Sequence, residues 1–279
     1  MKKAISIWSF KNQDNIKECL ELAKDAGFDG IELSLNGTGE LGLETTEEKL
    51  IELRNYANSI GLKIHSLASG LYWDYSFTSD NEEERKKAFD IACCQIKTAN
   101  ILGADSVLIV PGAVGVDFIP ERQPVNYEIA YSRALEAFLR LKSVAEEYKI
   151  HVGIENVWNK FLLSPLEMRD FIDKIDSFYV GAYFDVGNVV YCGYPEQWIE
   201  ILGKRIKKVH FKDYKRAAGG LHGFVDLLSG DVDWAKVMEA FEKVGYDGWC
   251  TAEMIPCYTY HSEQIIYNTS NSMNKIYGR

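Results

Sequence analysis

The stretch HVGIENVWNKFLLSPLEMRDFIDKIDSFYVGAYFDVGN, residues 151–188, contains a complete strand–helix–strand unit. Two short apolar runs rich in β-branched and aromatic residues, His151–Glu155 and Val180–Asp185, have the composition of strands. Between them, Ser164 and Pro165 open a helix, because serine caps a helix N-terminus and proline suits the first turn. Neighbouring parallel strands need a helical crossover of this kind, so the stretch predicts one unit of a parallel α/β sheet.

The same alternation of strand and helix continues along the chain. Six further strands are predicted from short apolar runs, at Ala4–Ile7, Gly30–Leu35, Lys63–Ala68, Ser106–Val110, Ile206–Lys212 and Trp249–Glu253. Amphipathic segments predict eight helices, at Asn12–Ala26, Thr45–Ile60, Glu82–Leu102, Tyr127–Tyr148, Ser164–Ile175, Pro195–Leu202, Trp234–Val244 and Tyr260–Tyr277. Eight strand–helix units in 279 residues favour a single α/β (β/α)8 TIM barrel over an open doubly wound sheet. No linker or low-complexity segment divides the chain, so we assign residues 1–279 to one domain, with a long loop at Tyr214–Asp233.

The composition argues against several classes of protein. The chain carries 41 acidic and 31 basic residues, and its sequence pI is about 5.1, so it should repel the phosphate backbone of a nucleic acid. We find neither an apolar run long enough to cross a membrane nor the apolar segment of a signal peptide. The six cysteines form no C-x-x-C pair, which is typical of reduced thiols. We therefore expect a cytoplasmic protein that binds neither nucleic acid nor membrane.

Four polar side chains stand at the C-terminal ends of four successive strands: Glu155, Asp185, His210 and Glu253. The C-terminal face of a (β/α)8 barrel carries the active site, and adjacent strands lie about 4.8 Å apart, so the four side chains can meet around one point. Three carboxylates this close would repel one another, and a divalent cation removes that penalty. Three oxygen donors and one imidazole suit manganese, cobalt, iron or magnesium better than a cysteine-rich zinc site does.

These strand ends resemble those of a known family. The motifs are GIEN at 153–156, FDVGN at 184–188, HFKD at 210–213 and AEM at 252–254. They look like those of the xylose isomerase-like TIM barrels, which include sugar isomerases, ketose 3-epimerases and endonuclease IV. The resemblance covers essentially the whole chain and is closest to the L-ribulose or L-xylulose 5-phosphate 3-epimerases. It implies an isomerase of carbohydrate metabolism that inverts C3 of a ketose or ketose phosphate and assembles as a dimer or tetramer.

The resemblance also implies a cofactor and a role for each matching residue. Glu155, Asp185, His210 and Glu253 would hold one divalent ion, manganese first, with cobalt, magnesium, iron or zinc as alternatives. Glu155 and Glu253 would face opposite sides of C3, so that one removes the proton and the other returns it to the other face. The cation would stabilise the enediolate that forms between these two steps. Arg216, six residues after His210, stands where the epimerases often place an arginine that contacts the substrate.

Other residues are candidate substrate contacts. Asn188 stands where many ketose 3-epimerases have a histidine, and an amide can hydrogen-bond a hydroxyl but cannot shuttle a proton. Lys212 and His65 are candidate polar contacts, and Trp8, after the first strand, suits the apolar face of a sugar. Glu32 interrupts the apolar strand IEL, and we expect it to make a supporting hydrogen bond rather than to act in catalysis.

Three alternatives share some of these features. Endonuclease IV is disfavoured, because Val110 and Asn188 stand where its zinc-binding histidines are expected and because the chain is acidic. An aldose–ketose isomerase, a hydroxypyruvate isomerase or a dehydratase of an inosose-like substrate would begin with the same proton removal, and the sequence leaves these open. A sugar-binding protein without catalysis is disfavoured by the complete set of four metal ligands.

Overall fold

Eight parallel strands close into a barrel in the computed structural model, which describes all residues from Met1 to Arg279. In chain order β1 to β8 are Lys2–Ser6, Gly30–Ser34, Lys63–Ala68, Ser106–Ile109, His151–Glu155, Val180–Asp185, Ile206–Phe211 and Trp249–Ala252. The strand order around the barrel is β1-β8-β7-β6-β5-β4-β3-β2, and β1 also pairs with β2 to close it. The predicted (β/α)8 TIM barrel is therefore confirmed.

Eight helices follow the strands and cover the barrel. In chain order α1 to α8 are Ile16–Asp25, Glu47–Ser59, Glu82–Leu102, Tyr127–Tyr148, Pro165–Ile175, Pro195–Leu202, Trp234–Val244 and Glu263–Ile276. The strands are buried on both faces, as β6 is along its whole length, because one face lines the barrel interior and the other packs under the helices. A core of 72 buried residues results. None of the helices combines the length and the apolar character that a bilayer span requires.

Local signals set the helix ends. Ser164 accepts a hydrogen bond from the backbone N–H of Glu167 at 3.2 Å, and Pro165 occupies the first turn of α5, as the sequence predicts. The prediction for α1 is wrong at its start, because Asn15 rather than Asn12 caps the helix by accepting from the N–H of Glu18. The last helix begins at Glu263, three residues later than predicted.

The segment after β7 differs from the single loop that we predict from the sequence. It contains a short antiparallel hairpin in which Asp213–Tyr214 pairs with Phe224–Val225. The Asp213 carboxylate organises this segment, because it accepts hydrogen bonds from the N–H groups of Leu228 and Val232 at 2.9 and 3.2 Å. The hairpin therefore holds the chain beside the C-terminal end of β7.

Candidate active site

The four predicted metal ligands converge at the C-terminal ends of neighbouring strands. Glu155 and Asp185 are the last residues of β5 and β6, His210 is the penultimate residue of β7, and Glu253 directly follows β8. The pairing of β6 with β7 sets Asp185 opposite His210. All four side chains are buried, and one ligand atom from each lies within 4.8 Å of the others. We call these four residues the acidic cluster.

Three buried atoms of the acidic cluster make no hydrogen bond: Asp185 Oδ2, His210 Nδ1 and Glu253 Oε2. His210 Nδ1 lies 3.1 Å from Glu253 Oε2 and 3.8 Å from Asp185 Oδ2. Buried polar atoms that make no hydrogen bond are costly, and one lysine charge does not balance three converging carboxylates. Carboxylate oxygens and one imidazole nitrogen form a donor set that fits a divalent cation, so these residues can hold a metal ion.

Lys212 adds a positive charge at the acidic cluster. Its Nζ lies 2.5 Å from Glu253 Oε2 and 3.2 Å from Asp185 Oδ2, and 5.3 Å from the centre of the Phe224 ring. The contact with Glu253 is a short, buried ion pair. Lys212, predicted to contact the substrate, therefore lies beside the acidic cluster, where its positive charge offsets part of the negative charge of the carboxylates.

The acidic cluster holds its two glutamates in different protonation states. Burial, together with the charges of Glu253 and Asp185, raises the pKa of Glu155 to about 8. Burial also acts to raise the pKa of Glu253, but the charges of Lys212 and His210 outweigh it and lower that pKa to about 2. Without a cation, Glu155 therefore carries a proton at neutral pH while Glu253 is a carboxylate.

Two asparagines fix the backbone and carboxylate of Asp185. Asn156 accepts a hydrogen bond from the Asp185 N–H and donates one to its carbonyl, both at 2.8 Å. The N–H of Asn188 donates to Asp185 Oδ1 at 2.8 Å, and its side-chain Nδ2 donates to the Asn156 carbonyl at 2.9 Å. Asn156 is not among the predicted site residues, although it follows Glu155 directly in the GIEN motif. Asn188 supports Asp185, and its Oδ1 makes no hydrogen bond within the protein, so it remains available to a ligand.

The side chain of Arg216 hydrogen-bonds to the backbone of a neighbouring loop and lies outside the acidic cluster. Its Nε donates to the carbonyl of Val190 at 2.9 Å, and its guanidinium lies 5.5 Å from the centre of the Tyr194 ring. Its own N–H donates to Asp231 at 2.7 Å. The residue therefore connects the loop after β6 with the loop after β7.

His65 lies within β3 and contacts two residues of β8. It is the third residue of β3, its ring stacks on Trp249 at 4.5 Å, and its Nε2 lies 3.0 Å from Thr251 Oγ1. Trp249 and Thr251 lie on β8 ahead of Glu253, so His65 packs below the acidic cluster. Trp8 lies in a short 3-10 turn directly after β1 and is half-buried, so it stays at the mouth of the barrel.

Comparison with known proteins extends this description. The family model "Xylose isomerase-like TIM barrel" matches residues 20–273. The chain belongs to this family. Among its xylose isomerase-like relatives is the D-psicose 3-epimerase of Enterocloster bolteae, 25% identical over 256 residues that cover 88% of this chain and 79% of the relative. Another is SgbU of Escherichia coli K12, provisionally named L-ribulose-5-phosphate 3-epimerase, 26% identical over 243 residues that cover 85% of this chain and 82% of that protein.

Solved structures of ketose 3-epimerases share the barrel. The D-psicose 3-epimerase of Clostridium cellulolyticum H10, solved with D-tagatose, superposes with a TM-score of 0.80 at 16% identity, over 100% of this chain and 99% of that one. Both sequence relatives, from Enterocloster bolteae and Escherichia coli, are named as epimerases of sugars, which confirms the predicted family and the predicted isomerase class.

Proposed function

We propose that the protein is a metal-dependent epimerase that acts at C3 of a ketose or ketose phosphate. The observation that carries this proposal is the convergence of the acidic cluster, in which Asp185, His210 and Glu253 each have one buried atom that makes no hydrogen bond. The names of the two relatives, a D-psicose 3-epimerase and an L-ribulose-5-phosphate 3-epimerase, support the choice of a ketose and of C3. Glu155, Asp185, His210 and Glu253 would hold one divalent ion, and manganese is our first candidate.

The chemistry requires a C–H bond beside a carbonyl to be broken and re-formed on the other face. When bound, the cation would supply positive charge beside the oxygen on which negative charge develops. Glu253, held as a carboxylate by the charges around it, is suited to accept the proton of C3. Glu155, whose pKa is raised to about 8 in the metal-free cluster, would give up its proton when the cation binds and would take one up again from solvent before delivering it to the opposite face. The roles reverse for the other epimer.

The substrate would be oriented by residues around the acidic cluster. The Lys212 ammonium lies beside the Glu253 carboxylate and would donate a hydrogen bond to an oxygen of a sugar bound there. Asn188 would accept from a hydroxyl through its free Oδ1, and Trp8 would cover an apolar face of the sugar at the barrel mouth. Arg216 would contact the substrate, or a phosphate on it, only after leaving the Val190 carbonyl. These contacts fit a small sugar or sugar phosphate.

Deuterium wash-in tests the proposal directly. The manganese-loaded protein is incubated in D2O with ketopentoses, ketohexoses and their phosphates, and the metal is removed by chelation before NMR spectra are recorded. Exchange at C3 together with appearance of the C3 epimer is the expected result. Exchange at C1 with formation of an aldose would assign an isomerase instead, and loss of water from an inosose-like substrate would assign a dehydratase. The metal-free protein is the control and should exchange nothing.

A further inference from the structure

The far side of the His210 ring contacts a second set of buried polar groups. Its Nε2 lies 2.9 Å from Glu32 Oε1, and the other carboxylate oxygen of Glu32 accepts a hydrogen bond from the Tyr183 hydroxyl at 2.5 Å. All three side chains are completely buried. Glu32 lies on β2 and His210 on β7, and these two strands are not neighbours in the barrel. Glu32 therefore reaches His210 across the barrel interior, and its predicted supporting hydrogen bond is confirmed.

This contact determines which ring nitrogen carries a proton. A carboxylate only accepts hydrogen bonds, so when the ring gives up a proton to bind a metal ion, the nitrogen that faces Glu32 is the one that keeps its N–H. The lone pair of the ring is then on Nδ1, the atom that lies 3.1 Å from Glu253 Oε2 in the acidic cluster. A metal-binding histidine needs this arrangement, because only the unprotonated nitrogen can coordinate an ion.

Tyr183 holds the Glu32 carboxylate in place, and that carboxylate in turn holds the His210 ring. The Tyr183 hydroxyl donates a hydrogen bond to the second carboxylate oxygen of Glu32. The edge of the Tyr183 ring packs on the His210 ring with a centroid distance of 4.7 Å. Burial raises the pKa of Tyr183 well above 10, so the hydroxyl stays a donor. Neither Glu32 nor Tyr183 belongs to the acidic cluster, and both contact it at His210.

We propose that Glu32 and Tyr183 are positioning residues that hold His210 in the Nε2–H tautomer, with Nδ1 directed at the metal ion. This inference rests on the proposed metal site and adds a second layer to it. Partners of this kind typically change metal affinity by about 10- to 100-fold when they are removed. The alternative is that Glu32 is only a buried polar group satisfied by two neighbours, with no effect on metal binding.

Metal affinity measured by titration calorimetry with Mn²⁺ separates the two possibilities. Glu32→Gln should weaken binding by about 10- to 100-fold, and Tyr183→Phe should weaken it by a smaller factor. Tyr72→Phe is the matched control, because Tyr72 is a buried tyrosine whose hydroxyl donates to Gln95 of α3 at 2.6 Å rather than to a partner of His210. The Tyr72→Phe variant should lose about as much stability as Tyr183→Phe but keep wild-type metal affinity. Should Glu32→Gln fail to fold, the comparison of Tyr183→Phe with Tyr72→Phe carries the test.

A spectroscopic measurement reports the tautomer itself. In protein labelled with ¹⁵N-histidine and loaded with diamagnetic Zn²⁺, His210 should show a metal-bound Nδ1 and a protonated, slowly exchanging Nε2. Glu32→Gln should shift this Nε2–H signal upfield or speed its exchange. Wild-type affinity and an unchanged His210 spectrum in Glu32→Gln would overturn the inference. Metal binding by the wild type without turnover of any sugar would overturn the proposed function but leave this inference intact, whereas absence of metal binding would overturn both.

Discussion

The ammonium group of Lys212 lies 2.5 Å from Oε2 of Glu253, so a predicted metal ligand is already paired with a positive charge. The pair is largely buried, with 13% of the Lys212 side chain and 4% of the Glu253 side chain exposed. Removing one member of a buried pair is costly because the other charge is left without a partner. A divalent cation at the acidic cluster therefore has to compete with Lys212 for the same carboxylate.

We expect Lys212→Gln to lower the stability of the metal-free protein by about 3 kcal/mol and to tighten Mn²⁺ binding by about tenfold at pH 8, because the repulsion between two cations is removed. Thermal unfolding with and without Mn²⁺ measures both effects, and the metal-induced rise in Tm should be larger in the variant. Lys243→Gln is the control, since Lys243 pairs with Glu200 on the surface at 2.8 Å. This substitution should change the free energy of unfolding by less than about 1 kcal/mol. Equal metal-induced shifts in wild type and Lys212→Gln would contradict this view of Lys212.

Metal binding should depend on pH because two groups of the acidic cluster hold protons in the metal-free protein. The pKa of Glu155 is raised to about 8, and the charges of Glu32 and Glu253 offset the effect of burial and raise the pKa of His210 well above 6.5. A bound cation requires both to lose those protons, so apparent affinity must rise with pH and the contribution of Glu155 must level off above pH 8. Glu253, with a pKa of about 2, contributes nothing between pH 5 and 9.

Calorimetric titrations of Mn²⁺ in HEPES and in Tris give the number of protons released, because the two buffers have different ionisation enthalpies. We expect close to two protons per ion at pH 6.5 and fewer at pH 9. Glu155→Gln should release about one proton fewer at pH 6.5. Affinity that is independent of pH from 6 to 9 would show that neither ligand is protonated in the metal-free protein.

The sequence predicts the barrel and the acidic cluster for one physical reason. Strand and helix periodicity are local, and barrel closure then sets the ends of β5 to β8 side by side, so Glu155 and Glu253 are found from their positions alone. The contact between Glu32 and His210 spans 178 residues and joins two strands that are not adjacent. It depends on which interior side chains meet across the barrel, and periodicity does not report that. The hairpin after β7 escapes prediction because two-residue strands are too short to show alternation.

Each of the two proposed catalytic carboxylates should be needed to remove the C3 proton of only one of the two epimers. In Glu253→Gln, Glu155 can still remove the C3 proton of the epimer that it faces, but nothing returns a proton to the other face. We therefore expect epimerisation to fall by about 10²- to 10⁴-fold in Glu155→Gln and in Glu253→Gln. At saturating Mn²⁺, each variant should still exchange the C3 proton of one epimer in D2O, and the two variants should differ in which epimer they exchange. Exchange of both epimers by one variant would rule out the proposed division of roles.

Gly187 lies where the backbone after β6 passes close to Lys212. A Cβ atom on Gly187 would lie 2.5 Å from Lys212 Cβ and 3.0 Å from its backbone carbonyl carbon, so backbone as well as side chain must move. We expect Gly187→Ala to cost about 1–3 kcal/mol of unfolding free energy and to weaken Mn²⁺ binding, because Asp185 and Lys212 are displaced together. Gly70→Ala is the matched control, since a Cβ atom on Gly70 would meet no other atom within 4 Å and the substitution should change neither property. Denaturant unfolding and metal titration of both variants measure the difference, and wild-type metal affinity in Gly187→Ala would mean that the acidic cluster tolerates movement of Lys212.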